Sequence, residues 1–220
     1  MPALKICAAA LAFAAAVGNA RAEEFTVGVP IPLTGAMARS GTGMAEGIQT
    51  AAELFNKTNA KHKIKLVTVD DESNPARAVT AVEKLALQGV VALVGGFGSN
   101  IIGPASDAAN KQNLVYMTAG GVDNDLTKRG YKTFFRIDNT QGCERAVTQM
   151  FEEQGVKSVS IVHSTKEATA DLAKVVLHPF DPAITDFKPI INKIKLQDKP
   201  EVILMSAYEN DYAGIAPTWR

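Results

Sequence analysis

The 220-residue sequence predicts an α/β fold built on a doubly wound parallel sheet, with a complete first lobe and an incomplete second one. Short stretches rich in β-branched and aromatic residues alternate with longer stretches whose apolar residues recur at three and four. That alternation marks βαβ units, in which each parallel strand is joined to the next through a helix. Glycine-rich turns after several strand-like stretches fit the same architecture, because open parallel sheets bind ligands beyond the carboxyl ends of their strands.

The chain opens with a segment of another kind. Lys5 precedes a small and apolar run from Ile6 to Val17, which leads to Ala20-Arg21-Ala22, the small-residue pattern of a signal-peptidase site. The run is too short to span a bilayer. Residues 1–22 are therefore expected to form a signal peptide cleaved after Ala22, leaving a mature chain that starts at Glu23 in the periplasm. A buried N-terminal helix is the competing reading, but helices of globular domains are amphipathic rather than apolar all round. No later segment is long and apolar enough to cross a membrane.

Strand-like segments then fall at Phe25–Leu33, Ile64–Asp70, Val90–Val94, Leu114–Met117 and Thr133–Ile137. Helical periodicity occupies Gly43–Thr58, Pro75–Gln88 and Ile102–Gln112 between them. Asn74 before Pro75, and Gly89 beyond the helix, follow the usual asymmetry of helix termini. A polar stretch at Asp138–Gly142 precedes a helix over Cys143–Gln154 and a strand over Ser158–His163, which begin a second series. It continues through a helix near Ala168–Val175, a strand near Val176–Phe180, a helix at Phe187–Leu196 opened by Asp186, and a strand at Val202–Ser206. Ala216–Arg220 carries no period and completes no sheet. The expected organisation is a signal peptide at 1–22, a first ligand-binding lobe at 23–138 and a partial second lobe at 139–220.

Charge narrows the partners. Of 23 basic side chains, Lys5 and Arg21 belong to the leader, so 21 face 23 acidic ones in the mature chain, with no basic stripe. Nucleic acid is excluded as an expected partner. Cys7 also lies in the leader, and Cys143 then stands alone, so no internal disulfide can form. Cys143 sits at the start of a predicted helix, where a thiol could be activated, but with no triad nearby it reads as a packing residue.

Three loops after strands draw attention: Pro32-Leu33-Thr34-Gly35, Gly95-Gly96-Phe97-Gly98-Ser99-Asn100 and Thr118-Ala119-Gly120-Gly121-Val122-Asp123. In the second, the glycines admit a ligand to the backbone, and Ser99 places a hydroxyl beside the free amides of a helix start, an anion site in outline. The alternative is that these glycines only make a tight turn. In the third, Gly120 and Gly121 expose backbone groups, and a carbonyl there could accept from an ammonium group. Asp123 could add charge, although capping a short helix at Asp123–Thr127 is the preferred role.

Enzymatic readings find little support. Gly41-Thr42-Gly43 with Gly47 and Asp70 suggests a nucleotide-binding enzyme, but Glu46 occupies the third small position and the motif starts too far from its strand. Neither a Gly-x-Ser-x-Gly elbow nor a His-Glu-x-x-His pair occurs. His163 reads as a structural histidine, and Asp70-Asp71-Glu72 as a solvated strand end rather than a cation site. No cofactor and no metal are expected, and the chain is not expected to be an enzyme.

Taken together, Val29-Pro30-Ile31-Pro32-Leu33-Thr34-Gly35, Asp70-Asp71, Gly95-Gly96-Phe97-Gly98-Ser99 with Pro104-Ala105-Ser106-Asp107, and Leu126-Thr127-Lys128-Arg129-Gly130-Tyr131 resemble the type I periplasmic binding proteins of the leucine/isoleucine/valine-binding family. The resemblance covers the chain to about Gly214. It implies a monomer that binds an amino acid or related small carboxylate between two lobes and delivers it to an inner-membrane ABC permease with its ATPases. A ligand-sensing receptor ectodomain of the same fold is the alternative.

By the same resemblance, Ser99 with Gly98 and the amide of Val122 hold the carboxylate, and the carbonyl of Gly120 meets the ammonium. Val122 replaces the family's threonine, and Ser40 stands where an aromatic residue often covers the ligand. Tyr208 matches a tyrosine of the second lobe, whereas the other second-lobe aromatic aligns near Ala168. The departures leave an aromatic or other carboxylate open. Replacing Ser99 by Ala is expected to weaken binding with little effect on the fold.

Relative to the family pattern the chain looks truncated. About a dozen residues are missing between Lys174 and Leu177, and the pattern stops after Gly214. These features predict a first lobe that folds, a second lobe with exposed apolar strand edges such as Val202–Met205, and binding weakened from about −8 toward about −4 kcal/mol.

Overall fold

A computed structural model describes residues 22–164, 178–181, 184–207 and 209–219. Apart from Ala22, the expected signal peptide lies outside them. So do the predicted helix near Ala168–Val175, the shortened stretch Lys174–Leu177, Tyr208 and Arg220. Among the described residues no helix is long and apolar enough to cross a membrane.

Five strands form the first sheet: β1 (Glu23–Ile31), β2 (His62–Asp70), β3 (Ala92–Val94), β4 (Val115–Thr118) and β5 (Phe134–Arg136). Their order is β2-β1-β3-β4-β5, with every pairing parallel. The strand order reverses at β1 and β3, so the open crevice of a doubly wound sheet lies at the carboxyl ends of these two strands.

Helices α1 (Ala38–Thr58), α2 (Pro75–Leu87), α3 (Ser99–Lys111) and α4 (Asp125–Lys128) connect them. The start of α2 was legible because its signals are local. Pro75 occupies the first turn, and the Asn74 side chain accepts from the amides of Ala76 at 2.9 Å and Arg77 at 3.1 Å.

Helix α1 begins five residues before the predicted Gly43, and α3 three before the predicted Ile102. Neither has a side-chain cap of its own. Instead, the Met37 amide at the head of α1 donates to the hydroxyl of Ser73, 36 residues away, at 3.0 Å. Gly41 and Gly43 consequently lie inside α1 rather than in the strand-to-helix turn of a nucleotide site. A Cβ on Gly41 would fall 1.9 Å from the Pro32 carbonyl oxygen, which gives that glycine a packing role.

The first core joins Val82 and Leu85 of α2 and Ile101 and Ile102 of α3 to Leu93, Tyr116 and Phe134 on the sheet. Tyr116 and Phe134 meet edge to face with ring centroids 5.6 Å apart. Alternate residues of β4 and β5 point the other way, and Val115, Met117 and Phe135 are exposed.

The second sheet has the order β7-β6-β8, all parallel, from β6 (Val159–Ser164), β7 (His178–Phe180) and β8 (Val202–Ser206). It repeats the order of the first three strands of the first sheet. Helix α5 (Thr140–Gln154) precedes it and starts three residues before the predicted Cys143, with the Asn139 side chain accepting from the Gln141 amide. Cys143 is therefore inside the helix, and it is exposed, which overturns its reading as a packing residue.

Helix α6 (Lys188–Lys193) runs into a π turn at Ile194–Asp198, and together they account for the predicted Phe187–Leu196. Helix α7 (Glu209–Ile215) and a 3₁₀ turn over Ala216–Trp219 follow β8 where no periodic structure was predicted. The second core gathers Val162, Phe180, Phe187, Ile191, Ile194 and Ile215.

Candidate functional site

Three loops converge at the carboxyl ends of the first sheet. The first, after β1, is held by Asp70 at the end of β2. Its carboxylate accepts from the Leu33 amide at 2.8 Å, the Thr34 amide at 3.3 Å, the Thr34 hydroxyl at 2.6 Å and the Glu72 amide at 2.8 Å. Burial pushes Asp70 upward, but these bonds outweigh it and hold its carboxyl below the usual value.

Asp71 has the opposite environment. It is 1% exposed, and burial pushes it up to about 6, against the bond from the Ser73 amide and with help from the neighbouring Asp70 charge. The expected solvated strand end is thus a loop anchor at Asp70 and a buried carboxyl at Asp71. Among the described residues no group of acidic, histidine or cysteine side chains could hold a metal ion. His163 is half-buried, with Nδ1 3.0 Å from the Ser164 carbonyl oxygen.

The second loop needs its glycines. A Cβ on Gly96, at φ +77°, would lie 2.2 Å from the Tyr116 hydroxyl oxygen. Gly98, at φ +87°, serves as the N-cap of α3, and its carbonyl accepts from the amides of Ile101 and Ile102 at 3.0 and 2.9 Å. The amides at the very start of α3 have no acceptor within the helix, which makes this end favourable to an anion.

The third loop is joined to the second through backbone and hydroxyl. The Gly98 amide donates to the Gly120 carbonyl at 2.9 Å, and the Asp123 amide donates to the Ser99 Oγ at 3.2 Å. The sequence-predicted residues Gly98, Ser99, Gly120 and Val122 are thereby brought onto two adjoining loops. Ser99 is fully buried, and among the described residues the Gly120 carbonyl accepts one bond, from Gly98, which leaves one lone pair.

Ser40 lies half-buried in the first turn of α1, close in sequence to Met37, whose Sδ would sit 2.9 Å from a Cβ on Gly98. Tyr208 lies outside the described residues, so its relation to these loops is not part of this geometry.

Two residues of this region escaped the sequence reading. The buried Oδ1 of Asn100 has no hydrogen-bond partner among the described residues. Arg136, at the end of β5, donates to the Val122 carbonyl at 2.7 Å, the Gly121 carbonyl at 3.5 Å, the Asn124 Oδ1 at 2.8 Å and the Thr127 hydroxyl at 3.4 Å. Asp123 was expected to cap a helix over Asp123–Thr127. Helix α4 begins at Asp125, and its N-cap position is Asn124 without a side-chain cap bond. The buried Asp123 carboxylate instead accepts from the Asp125 amide at 2.9 Å just ahead of the helix.

Amides at a helix start beside a hydroxyl have the chemistry to receive a small anion. Comparison with known proteins agrees in fold. A Streptococcus pneumoniae branched-chain amino acid transporter substrate-binding protein, solved with isoleucine, superposes with a TM-score of 0.79 at 23% identity, covering 90% of this chain and 61% of that one. A Rhodopseudomonas palustris solute-binding protein, solved with p-hydroxybenzoic acid, gives 0.79 at 21% identity, covering 90% and 58%.

Among curated relatives, Leu/Ile/Val-binding protein homolog 3 of Brucella melitensis is 28% identical over 217 residues, 90% of this chain and 59% of that protein. The Leu/Ile/Val-binding protein of Escherichia coli K12 is 29% identical over 172 residues, 76% of this chain and 46% of that protein. The chain thus spans roughly half to three fifths of the length of these relatives. The family model described as periplasmic binding protein matches residues 24–219, and the chain belongs to that family.

Proposed function

We propose that the protein is a periplasmic solute-binding component of an ABC importer, taking an amino acid of the branched-chain type or a related small carboxylate. The observation that carries this reading is the junction of the loops after β3 and β4, next to the strand-order reversal between β1 and β3. There, the Ser99 hydroxyl heads α3 beside the glycine cap and accepts the Asp123 amide. Ser99, Gly98 and the Val122 amide receive the carboxylate, while the free lone pair of the Gly120 carbonyl receives an ammonium group. Ser40 and Tyr208 flank the solute, Tyr208 from the second lobe. Ser99 is covered, so capture requires the groups around it to part. The solute site is read as lying between a lobe at 23–138 and another from 139 onward.

In this reading the leader is removed after Ala22, the protein acts as a monomer without enzymatic activity, and an inner-membrane permease with its ATPases receives the solute. A benzoate-type acid is the second candidate solute. It is supported by Val122, which offers an amide but no side-chain donor, and by relatives in fold solved with p-hydroxybenzoic acid and benzoate.

Calorimetric titration of the full chain with leucine, isoleucine and 4-hydroxybenzoate tests the proposal. Saturable binding of at least one of them is expected. A folded chain that binds none would overturn it.

A further inference from the structure

We propose that Arg136 is the positioning residue of the binding site, clamping the Val122–Asp123 peptide so that Ser99 is left as a hydrogen-bond donor to the solute. The inference rests on the solute-binding reading above. A trans peptide directs its carbonyl and amide to opposite sides. Here both ends are held, with the Val122 carbonyl accepting from Arg136 Nη1 at 2.7 Å and the Asp123 amide donating to Ser99 Oγ at 3.2 Å.

A serine hydroxyl has one proton and two lone pairs. With a lone pair taken by the Asp123 amide, the Ser99 proton points elsewhere, toward an arriving acceptor. The cationic guanidinium on the carbonyl side polarises the peptide and strengthens its amide as a donor, and hydrogen bonds in such a chain reinforce one another.

The fork of the guanidinium is needed for a second purpose. Nη2 donates to the Asn124 Oδ1 at 2.8 Å, and the Asn124 amide group donates to the hydroxyl of Thr140 at 2.9 Å. Thr140 is fully buried and opens α5, where the chain leaves the first sheet. The loop that meets the solute is therefore tied through Arg136 to the start of the next structural series. Lysine at this position keeps the charge but cannot serve both acceptors in one plane.

The test compares the full-length parent with Arg136→Gln and Arg136→Lys by amide hydrogen exchange resolved by NMR, alongside calorimetric titration with leucine, isoleucine and 4-hydroxybenzoate. In Arg136→Gln the Asp123 amide is expected to exchange about tenfold faster while the Val82 and Leu85 amides keep their protection, with Arg136→Lys intermediate. Affinity for a solute that the parent binds should fall about tenfold, and adding Ser99→Ala should then cost less than in the parent background.

Unchanged Asp123 exchange in both variants, or equal loss of protection at Val82 and Leu85, overturns the positioning role. If Arg136→Gln does not fold, Arg136→Lys decides by the same comparison. A parent that binds no solute overturns the solute-binding reading alone, and the exchange result still decides the clamp.

Discussion

The hydroxyl of Thr34 donates to the carboxylate of Asp70 at 2.6 Å, joining the loop after the first strand to the end of the second across 36 residues. The adjacent Asp71 turns inward and makes its described bond to the Ser73 amide. Two neighbouring carboxyls thus have opposite environments, and their effects on stability take opposite signs.

For Asp71 the folded carboxyl titrates at about 6 against an ordinary 3.8, so the folded state holds the proton more tightly. Stability is therefore expected to fall as pH rises between about 4 and 6, by at most about 3 kcal/mol. Asp71→Asn should abolish that slope and stabilise the protein at pH 7 by about 1–3 kcal/mol. Urea melts between pH 4 and 8 check this, and an unchanged slope in the variant would sink the assignment.

Asp70 behaves in the reverse sense, because its folded carboxyl is held below 3.8. Its contribution is present above that value and is lost as pH falls further. Thr34→Ala removes one of the bonds responsible and should move the Asp70 titration upward. Carboxyl NMR titration reads the shift directly, and no movement would mean that the hydroxyl is not a determinant.

Ser99→Ala should weaken binding of the solute by about 1.5–3 kcal/mol, roughly ten- to a hundredfold. The structure adds a cost absent from the sequence reading. The Asp123 amide loses its acceptor in a buried setting, so stability should also drop by about 1–3 kcal/mol. Titration and denaturant unfolding measure the two separately, and full affinity in the variant would remove Ser99 from the site.

Gly96→Ala should destabilise the first lobe by about 3 kcal/mol or more, because the new Cβ would approach the Tyr116 hydroxyl oxygen to 2.2 Å at φ +77°. Adding Tyr116→Phe should recover part of the loss, leaving the backbone strain. A double-mutant cycle by urea unfolding tests this, and strict additivity would show that the contact is relieved elsewhere.

By itself, the amino-acid sequence determined the alternation of strands and helices, the Asn74 and Pro75 start of α2, and the glycine and serine loops at the strand ends. Those features rest on periodicity and on bonds spanning two or three residues, so they are legible locally. Only the tertiary structure decided where α1 and α3 begin, that Cys143 faces outward, that Asp70 anchors a loop while Asp71 is buried, and that Arg136 grips the Val122 peptide. The Met37 amide is capped by a serine 36 residues away, and the Ser99 hydroxyl is met by an amide 24 residues away. Partners at such separations share no local pattern, and they become neighbours only when the sheet brings the ends of β1, β2, β3 and β4 together.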